Sequence, residues 1–380
     1  MTRKMKVLII ASWYPCPSVP TAGIFIQRQA VALANLCDVA VLHVNVGASA
    51  NESLPVTEQG ITVARSGITS TGLYARYFGY RRAGLMAFAK LVESWGMPDI
   101  VHVQALWPAA LVARAINQRW GIPYIVTEHS EEYLAQSRRR LVRTPGMLRF
   151  LLRPLAQRAS ATIAVSRYLG DRLVELGLAD NVAIIPNALS SCKPASPVVT
   201  APHVIAHVSV MGPAKNLPTL LHAIKDVMAR RSDFLLRLVG DGECRGEAEG
   251  LAASLGLGDV VEFVGSRSAD EVHDLYAQSA FTVVSSTHET FSVVAAESLM
   301  CGRPVVSTRC GGPEEFITPE VGRLVAAGSG EALADGIDWM LDHFAEYDPA
   351  SLHDYAHGRF SHDAVARQIL AVYRGVLNVR

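Results

Sequence analysis

Short apolar runs alternate with longer amphipathic stretches along most of the chain. The runs are continuously apolar, which is typical of strands buried on both faces of a parallel sheet. The first half predicts strands at residues 6–11, 39–46, 61–64, 99–103, 124–127, 162–165 and 182–185. The pattern restarts with strands at residues 204–210, 235–239, 260–263, 281–284 and 305–307. Helical patterns lie between the runs, for example at residues 25–36 and 106–118. Together they predict two successive α/β domains, each with a doubly wound parallel sheet.

A Ser- and Pro-containing stretch at residues 190–197 is typical of a linker between two domains. The chain of 380 residues, 50% of them hydrophobic and 18% charged, is long enough for two packed cores. No apolar run approaches the ~20 residues that span a bilayer. The six cysteines show no paired motif, so reduced thiols in the cytoplasm are expected.

Two carboxylates stand eight residues apart where the strand at 281–284 leads into a helix predicted at residues 292–301. The N–H groups of Phe291 to Val294 would point toward an anion above the sheet. If the anion is a phosphate, Glu289 could reach the group attached to it, and Glu297 could face a ribose. An isolated pair of this spacing is equally consistent with a loop acid and an exposed helix residue. The apolar neighbours of Glu297 favour burial, and a buried carboxylate needs partners.

This stretch, Glu289 to Glu297, resembles the E-x7-E signature of glycosyltransferase family 4, and the similarity extends over almost the whole chain. Supporting motifs lie at residues 185–187, 239–242, 264–265, 301–307, 311–315 and 322–325. The resemblance implies GT-B architecture, with two Rossmann-like parallel-sheet domains facing a central cleft. Residues 1–190 would bind the acceptor and 191–358 the nucleotide sugar, and residues 359–380 would form a helix crossing back to the first domain.

The resemblance also implies roles for individual residues. His129, at the end of the strand at 124–127, would hydrogen-bond the donor sugar, with Glu128 orienting it or reaching the acceptor. Lys215 would contact the donor diphosphate. Together with Glu289, His129 and Lys215 form the predicted catalytic set, and the predicted donor-binding residues are Gly23, Arg267, Thr290, Phe291, Ser292, Val293 and Glu297.

One departure from the family pattern concerns the diphosphate. The family places an arginine five residues before the lysine, where this chain has Val210. Arg267 is a candidate replacement, although a simple surface position is equally consistent with its sequence context.

On this interpretation the enzyme transfers a sugar from a UDP- or GDP-sugar to a hydroxyl acceptor with retention, in cell-surface polysaccharide or glycolipid biosynthesis. The leaving diphosphate would accept the acceptor's proton. We expect no metal and no cofactor besides the nucleotide sugar as co-substrate. An epimerase or isomerase on the same scaffold and a non-catalytic nucleotide-sugar-binding protein stay open. A glycoside hydrolase is disfavoured, because an anion-binding helix between its two acids would be unexplained.

The net charge of zero conceals an excess of nine positive charges before residue 191 and of nine negative charges after it. A basic, apolar segment between Arg138 and Arg158 contributes to the first excess. It could dock on the anionic cytoplasmic face of a membrane near a lipid-linked acceptor, or be a helix with a solvated arginine face. Nucleic-acid binding is not expected, because the segment lacks aromatic residues at base-stacking positions.

Overall fold

The computed structural model describes residues 3–16, 19, 22–47, 55–69, 72–137, 146, 148–196 and 200–378, without the side chains of 73–76. The chain divides into two compact units. Unit 1 comprises Met1–Ser190 together with His362–Arg380, and unit 2 comprises Ser191–Ser361.

The described strands of unit 1 form one sheet in the order β3-β4-β2-β1-β5-β6-β7-β8. Its ladders are parallel, apart from the antiparallel pair of β3 with β4. The strands are β1 (Lys6–Ala11), β2 (Asp38–Val46), β3 (Val56–Glu58), β4 (Ile61–Ile68), β5 (Ile100–Gln104), β6 (Tyr124–Glu128), β7 (Ala161–Ala164) and β8 (Ala183–Ile184).

The sheet described in unit 2 is parallel throughout, in the order β11-β10-β9-β12-β13-β14. Chain order therefore reverses beside β9, which is the doubly wound Rossmann arrangement. The strands are β9 (His203–Val208), β10 (Phe234–Val239), β11 (Val261–Gly265), β12 (Phe281–Val284), β13 (Val305–Thr308) and β14 (Gly322–Val325).

The helices cover the faces of the two sheets. They are α1 (Ile24–Ala34), α2 (Leu73–Trp95), α3 (Leu106–Trp120), α4 (Arg153–Ala156), α5 (Arg167–Glu175), α6 (Leu217–Met228), α7 (Arg245–Ser254), α8 (Ala269–Gln278), α9 (Val293–Met300), α10 (Gly330–His343), α11 (Pro349–Phe360) and α12 (His362–Asn378). Helix α12 belongs to unit 1. None of the described helices combines the length and apolar character needed to cross a bilayer.

Each unit has its own apolar core. In unit 1, residues of β1 and β2 pack against α1 and α12, and Ile9, Val41 and Ile369 are fully buried. The hydroxyl of Tyr373 on α12 lies 2.6 Å from Nδ1 of His102 on β5, which ties the last helix to the sheet of its own unit. In unit 2, α6 and α10 cover one face of β9, β10 and β12.

The predicted class of two parallel-sheet α/β domains is confirmed. β1 and β12 have the predicted bounds, and the other predicted strands differ at their ends by one to four residues. The strand predicted to reach Val210 ends at Val208, and Val210 is 76% exposed in the loop that follows. Two strands were not predicted, because Val56–Glu58 is short and mostly exposed and Gly322–Val325 begins with a glycine.

Part of the basic segment can be placed. Arg138, Arg139, Arg140 and Arg143 lie outside the described residues. Arg149 and Arg158 are exposed. Arg153 instead donates from Nε to the carbonyl of Leu176 at 3.0 Å, within unit 1.

Candidate active site

The candidate site in unit 2 lies at the carboxyl edge of its sheet, where the loops after β9, β12 and β13 meet. This edge beside a reversal of strand order is where open α/β sheets bind ligands. Glu289 lies in the loop after β12, and Lys215 ends a short 3-10 helix, Pro213–Lys215, after β9.

Lys215 and Glu289 form an ion pair. Nζ of Lys215 lies 2.5 Å from Oε1 of Glu289, and the two side chains are only 23% and 12% exposed. The Ser286 hydroxyl donates to the same carboxylate oxygen at 2.7 Å. The structure thus brings together two of the three predicted catalytic residues, 74 positions apart in sequence.

Hydrogen bonds to the backbone fix the loops on both sides of this pair. Ser285 Oγ donates to the carbonyl of Lys215 at 2.7 Å, which holds the loop after β12 against the loop after β9. The N–H of Glu289 donates to Cys310 at 2.8 Å, and its carbonyl accepts from Gly312 at 2.9 Å. A Cβ at position 312 would lie 2.5–2.6 Å from the backbone of Thr290 and Phe291, so only glycine permits this approach.

Helix α9 begins directly beside the pair, and its first turn has N–H groups without intrahelical acceptors. Ser292 precedes it with φ 73°, a left-handed conformation that is costly for a residue with a side chain. Its hydroxyl is buried and has no hydrogen-bond partner among the described residues. A strained backbone and an unsatisfied buried donor at one residue indicate a position shaped for a ligand rather than for folding.

The other predicted donor residues around α9 divide into two groups. The Phe291 side chain is 3% exposed and packs against Phe316 and Phe360, with ring centroids 5.3 and 5.4 Å away, so only its backbone is available to a ligand. Val293 and Glu297 are half-buried and, four positions apart, share one face of the helix. The predicted burial of Glu297 is therefore only partial, because this face is partly open. Thr290 is half-buried in the loop.

Arg267 is exposed, donates to the Ser266 carbonyl at 3.2 Å and lies 3.8 Å from Glu271. Its donor-binding role stays a prediction without a contact to support it.

In unit 1, His129 lies just beyond β6 in a buried polar network. Its Nε2 is 2.7 Å from Oε1 of Gln104, and Gln104 in turn contacts His102 and Gln29. Burial lowers the pKa of His129 to about 3, and the neighbouring Asn187 side chain opposes the shift. The ring is therefore neutral at pH 7, so it can hydrogen-bond a sugar hydroxyl but is not a cationic acid.

Glu128 does not reach out toward a ligand. Its carboxylate accepts hydrogen bonds from the backbone N–H groups of Leu106, His129 and Ser130 at 2.8–2.9 Å. Burial raises its pKa, and these hydrogen bonds oppose the rise. The idea that Glu128 reaches the acceptor was wrong, because its oxygens are occupied in holding the loop after β6 on the start of α3.

Gly23, at the start of α1, has φ 63°, and a Cβ there would lie 2.4 Å from the Trp13 carbonyl oxygen. The space beside this glycine is therefore filled by protein backbone and not by a substrate. Its donor-binding role stays a prediction, but the structural reason for glycine is its packing on Trp13.

Sequence reasoning missed residues that the structure places near these sites. His207 on β9 is 2% exposed, and its Nδ1 lies 3.0 Å from the Val283 carbonyl. Burial lowers its pKa to about 4, and the charge of Lys215 adds to the effect. Gln104 ends β5 and orients His129. Neither carries a local signal, since both lie within apolar strand patterns.

Comparisons with known proteins identify the family of the chain. The family model of glycosyl transferases group 1 matches residues 193–350, and that of the glycosyl transferase 4-like domain matches residues 21–188. The chain belongs to the GT4-type glycosyltransferases.

Relatives and solved structures of this type span much of the chain. An uncharacterized glycosyltransferase of Methanocaldococcus jannaschii is 28% identical over 62% of this chain and 63% of its own length. The D-inositol 3-phosphate glycosyltransferase of Frankia alni is 28% identical over 74% of this chain and 75% of its own.

Among structures, sucrose-phosphate synthase from Thermosynechococcus elongatus superposes with a TM-score of 0.79 at 21% identity, covering 99% of this chain and 100% of its own. HepE of Anabaena, solved with UDP-glucose, gives 0.71 at 20% identity, covering 98% and 100%. These neighbours show that the GT4-type chain has the GT-B fold.

Replacing Ser292 separates its two unusual features. Ser292→Ala removes the unpartnered hydroxyl and keeps the left-handed backbone, whereas Ser292→Gly also relieves the backbone strain, by about 1 kcal/mol. We expect both variants to bind a nucleoside diphosphate more weakly, by about threefold to tenfold for one lost hydrogen bond. The free energy of unfolding of Ser292→Gly should exceed that of Ser292→Ala, because only glycine relieves the backbone strain. Calorimetric titration with UDP and GDP and chemical denaturation measure the two effects. Unchanged affinity in both variants would show that the hydroxyl does not serve the ligand.

Proposed function

We propose that this protein is a retaining glycosyltransferase that moves a sugar from a UDP- or GDP-sugar to a hydroxyl acceptor without a metal ion, in cell-surface polysaccharide or glycolipid biosynthesis. One observation carries the proposal. The Lys215–Glu289 pair lies at the carboxyl edge of the unit 2 sheet, directly beside the strained start of α9.

The pair supplies both charges that a nucleotide sugar needs. A bound diphosphate would draw the Lys215 ammonium away from Glu289, and the N–H groups at the start of α9 would add to its stabilisation. Glu289 would then be free to accept hydrogen bonds from the sugar hydroxyls. Glu297, on the open face of α9, is proposed to contact the ribose.

Retention is proposed to follow from the leaving group itself. As the bond between the anomeric carbon and the diphosphate oxygen breaks, that oxygen gains negative charge, which Lys215 and the helix start stabilise. It can then accept the proton of the acceptor hydroxyl, whose oxygen forms the new bond on the same face. His129, neutral at pH 7, is proposed to hydrogen-bond the sugar without transferring a proton.

Support for a UDP-sugar comes from HepE, which was solved in complex with UDP-glucose and whose fold this chain shares. Two other functions use the same residues. An epimerase or isomerase would convert the sugar nucleotide without an acceptor. A non-catalytic nucleotide-sugar-binding protein would bind it unchanged, and the exposed Val210 in place of the family arginine favours this second function.

The central test combines binding and transfer. Thermal-shift screening of UDP, GDP and ADP identifies the base, because a ligand at 100 times its Kd adds about 2.7 kcal/mol to the stability. Incubation of the matching sugar nucleotide with acceptor mixtures, followed by NMR of the product, then shows the anomeric configuration. A retained glycosidic product in the presence of EDTA is expected. An inverted product or an epimerised donor would contradict the proposal.

Glu289→Gln and Lys215→Ala should differ in their effects on nucleotide binding. In Glu289→Gln the lysine loses its charged partner, so the affinity for the diphosphate should be kept or increased. Transfer should fall by at least about 100-fold, since the contact of Glu289 with the sugar is lost.

In Lys215→Ala the nucleoside diphosphate should bind more than about tenfold more weakly, because a charge-assisted contact contributes about 1.5–3 kcal/mol. The affinity for the monophosphate should change little. Calorimetry and initial rates measure both. Equal losses for mono- and diphosphate would remove Lys215 from the phosphate site.

Val210→Arg should increase the affinity for the nucleoside diphosphate. Val210 is 76% exposed, so a longer side chain has room, and it occupies the position of the family arginine. One added charge-assisted contact corresponds to about tenfold in affinity. Val210→Gln is the matched control, because it adds length without charge. If the two variants bind UDP and GDP alike, the loop does not face the diphosphate.

Contact with an anionic membrane surface is also proposed. Phe150 is 74% exposed, and the guanidinium of the exposed Arg149 lies 5.4 Å from its ring centroid, so an apolar and a cationic group share one surface. Phe150→Ser should reduce binding to vesicles of phosphatidylglycerol, and binding should weaken as salt shortens the Debye length toward ~10 Å at 0.1 M. Phe78→Ser is the control, since Phe78 is 61% exposed on α2. Absence of vesicle binding at low salt would contradict membrane contact.

A further inference from the structure

A cavity of about 350 Å³ opens at the carboxyl edge of the unit 1 sheet. It lies among the loop after β1, the carboxyl end of β2 and the start of α3, where strand order reverses beside β1. This is the position at which open α/β sheets bind ligands, and the volume falls within the range of about 300–1,000 Å³ typical of small-molecule sites.

Aromatic side chains line one part of this cavity. Tyr14 and Trp107 are buried, whereas Trp13 is 36% exposed, so its ring is available to a ligand. Gly23 approaches the Trp13 carbonyl closely, which places the Trp13 backbone beside the start of α1. An aromatic face carries partial negative charge, and it therefore attracts the C–H face of a sugar ring.

Polar groups line another part. Nδ1 of His43 lies 3.0 Å from the Ala11 carbonyl, so this nitrogen carries the proton. Burial lowers the pKa of His43, and the ring is therefore neutral at pH 7. Its Nε2 is then a hydrogen-bond acceptor. The amide of Asn45 adds a further group that can hydrogen-bond hydroxyls.

The described lining of the cavity favours an uncharged ligand over a phosphorylated one. Among its described lining residues none is Lys or Arg, so none of them offers a cation to a phosphate. Arg65, nearby, is engaged elsewhere: it pairs with Glu58, donates to the Pro15 carbonyl at 3.1 Å and lies 5.7 Å from the Tyr14 ring centroid.

We propose that this cavity binds an uncharged sugar ring of the acceptor, with its C–H face on Trp13 and its hydroxyls bonded to His43 and Asn45. The proposal rests on the proposed function and narrows it: the acceptor is a glycoside or glycan end and not a phosphorylated polyol. It thereby separates this chain from relatives named for D-inositol 3-phosphate.

The test measures binding without a donor. Methyl glucosides, galactosides and mannosides are compared with inositol 3-phosphate and glucose 6-phosphate by tryptophan fluorescence and saturation-transfer NMR. At least one methyl glycoside should bind, and Trp13→Ala should weaken it by about tenfold or more through loss of the stacking surface. Trp120→Ala is the matched control, because Trp120 lies 39% exposed on the same unit outside the cavity.

Three results would overturn the proposal: preference for the phosphorylated compounds, no binding of any glycoside at millimolar concentration, or equal effects of the two tryptophan variants. Transfer kinetics keep it distinct from the proposed function. Trp13→Ala should raise the acceptor KM about tenfold and leave the donor KM unchanged. If transfer proceeds with an unchanged acceptor KM, the cavity proposal fails and the function stands. If no transfer occurs but glycosides bind at Trp13, the proposed function fails and the cavity still binds a sugar ring.

Discussion

The parallel hydrogen bonding of the two sheets is the constraint on which the rest of the structure depends. Strands that run in one direction end at one edge, so loops far apart in sequence meet there. Both faces of the central strands are covered, and their side chains are apolar for that reason. Polar chemistry is therefore concentrated at the strand ends. Glu289, Lys215 and Cys310 follow three strands of one sheet, and Trp13, His43 and Trp107 lie at the corresponding edge of the other.

The Lys215–Glu289 ion pair gives the unit 2 edge its chemical character. Both charges are largely withdrawn from water, so each would be costly without the other. Without a ligand they neutralise each other, and hydrogen bonds of Ser285, Cys310 and Gly312 to the backbone of Lys215 and Glu289 hold them in register. In the proposed function, an anionic ligand would replace Glu289 beside Lys215, and hydroxyls of the sugar would hydrogen-bond to the released carboxylate. This exchange would allow one pair to serve both the phosphate and the sugar ends of a donor.

Local patterns predicted the strands well and the contacts poorly. The bounds of β1 and β12 follow from uninterrupted apolar runs, and Glu289 and Glu297 were recognised from their place at a strand–helix junction. The ion partner of Glu289 depends on which strands are neighbours, which no local window contains. The role of Glu128 was predicted wrongly for the same reason. Its carboxylate accepts a hydrogen bond from the Leu106 N–H, and the two residues meet only when β5 and β6 pair. Val56–Glu58 was missed because a short, exposed edge strand has little apolar pattern.

Several features at the two edges reduce the stability of the fold. Ser292 has a left-handed backbone and a buried hydroxyl without a partner, and Nδ1 of His129 also lacks a well-formed hydrogen bond among the described residues. Trp13 and Val210 expose large apolar surfaces. Some other helix starts are capped by a side chain, as at Ser268 of α8. Strain and unsatisfied polar groups are expected at an edge where selection acts on binding as well as on folding. A ligand that hydrogen-bonded to the Ser292 hydroxyl and to Nδ1 of His129 would supply the stabilisation that these groups lack in the protein alone.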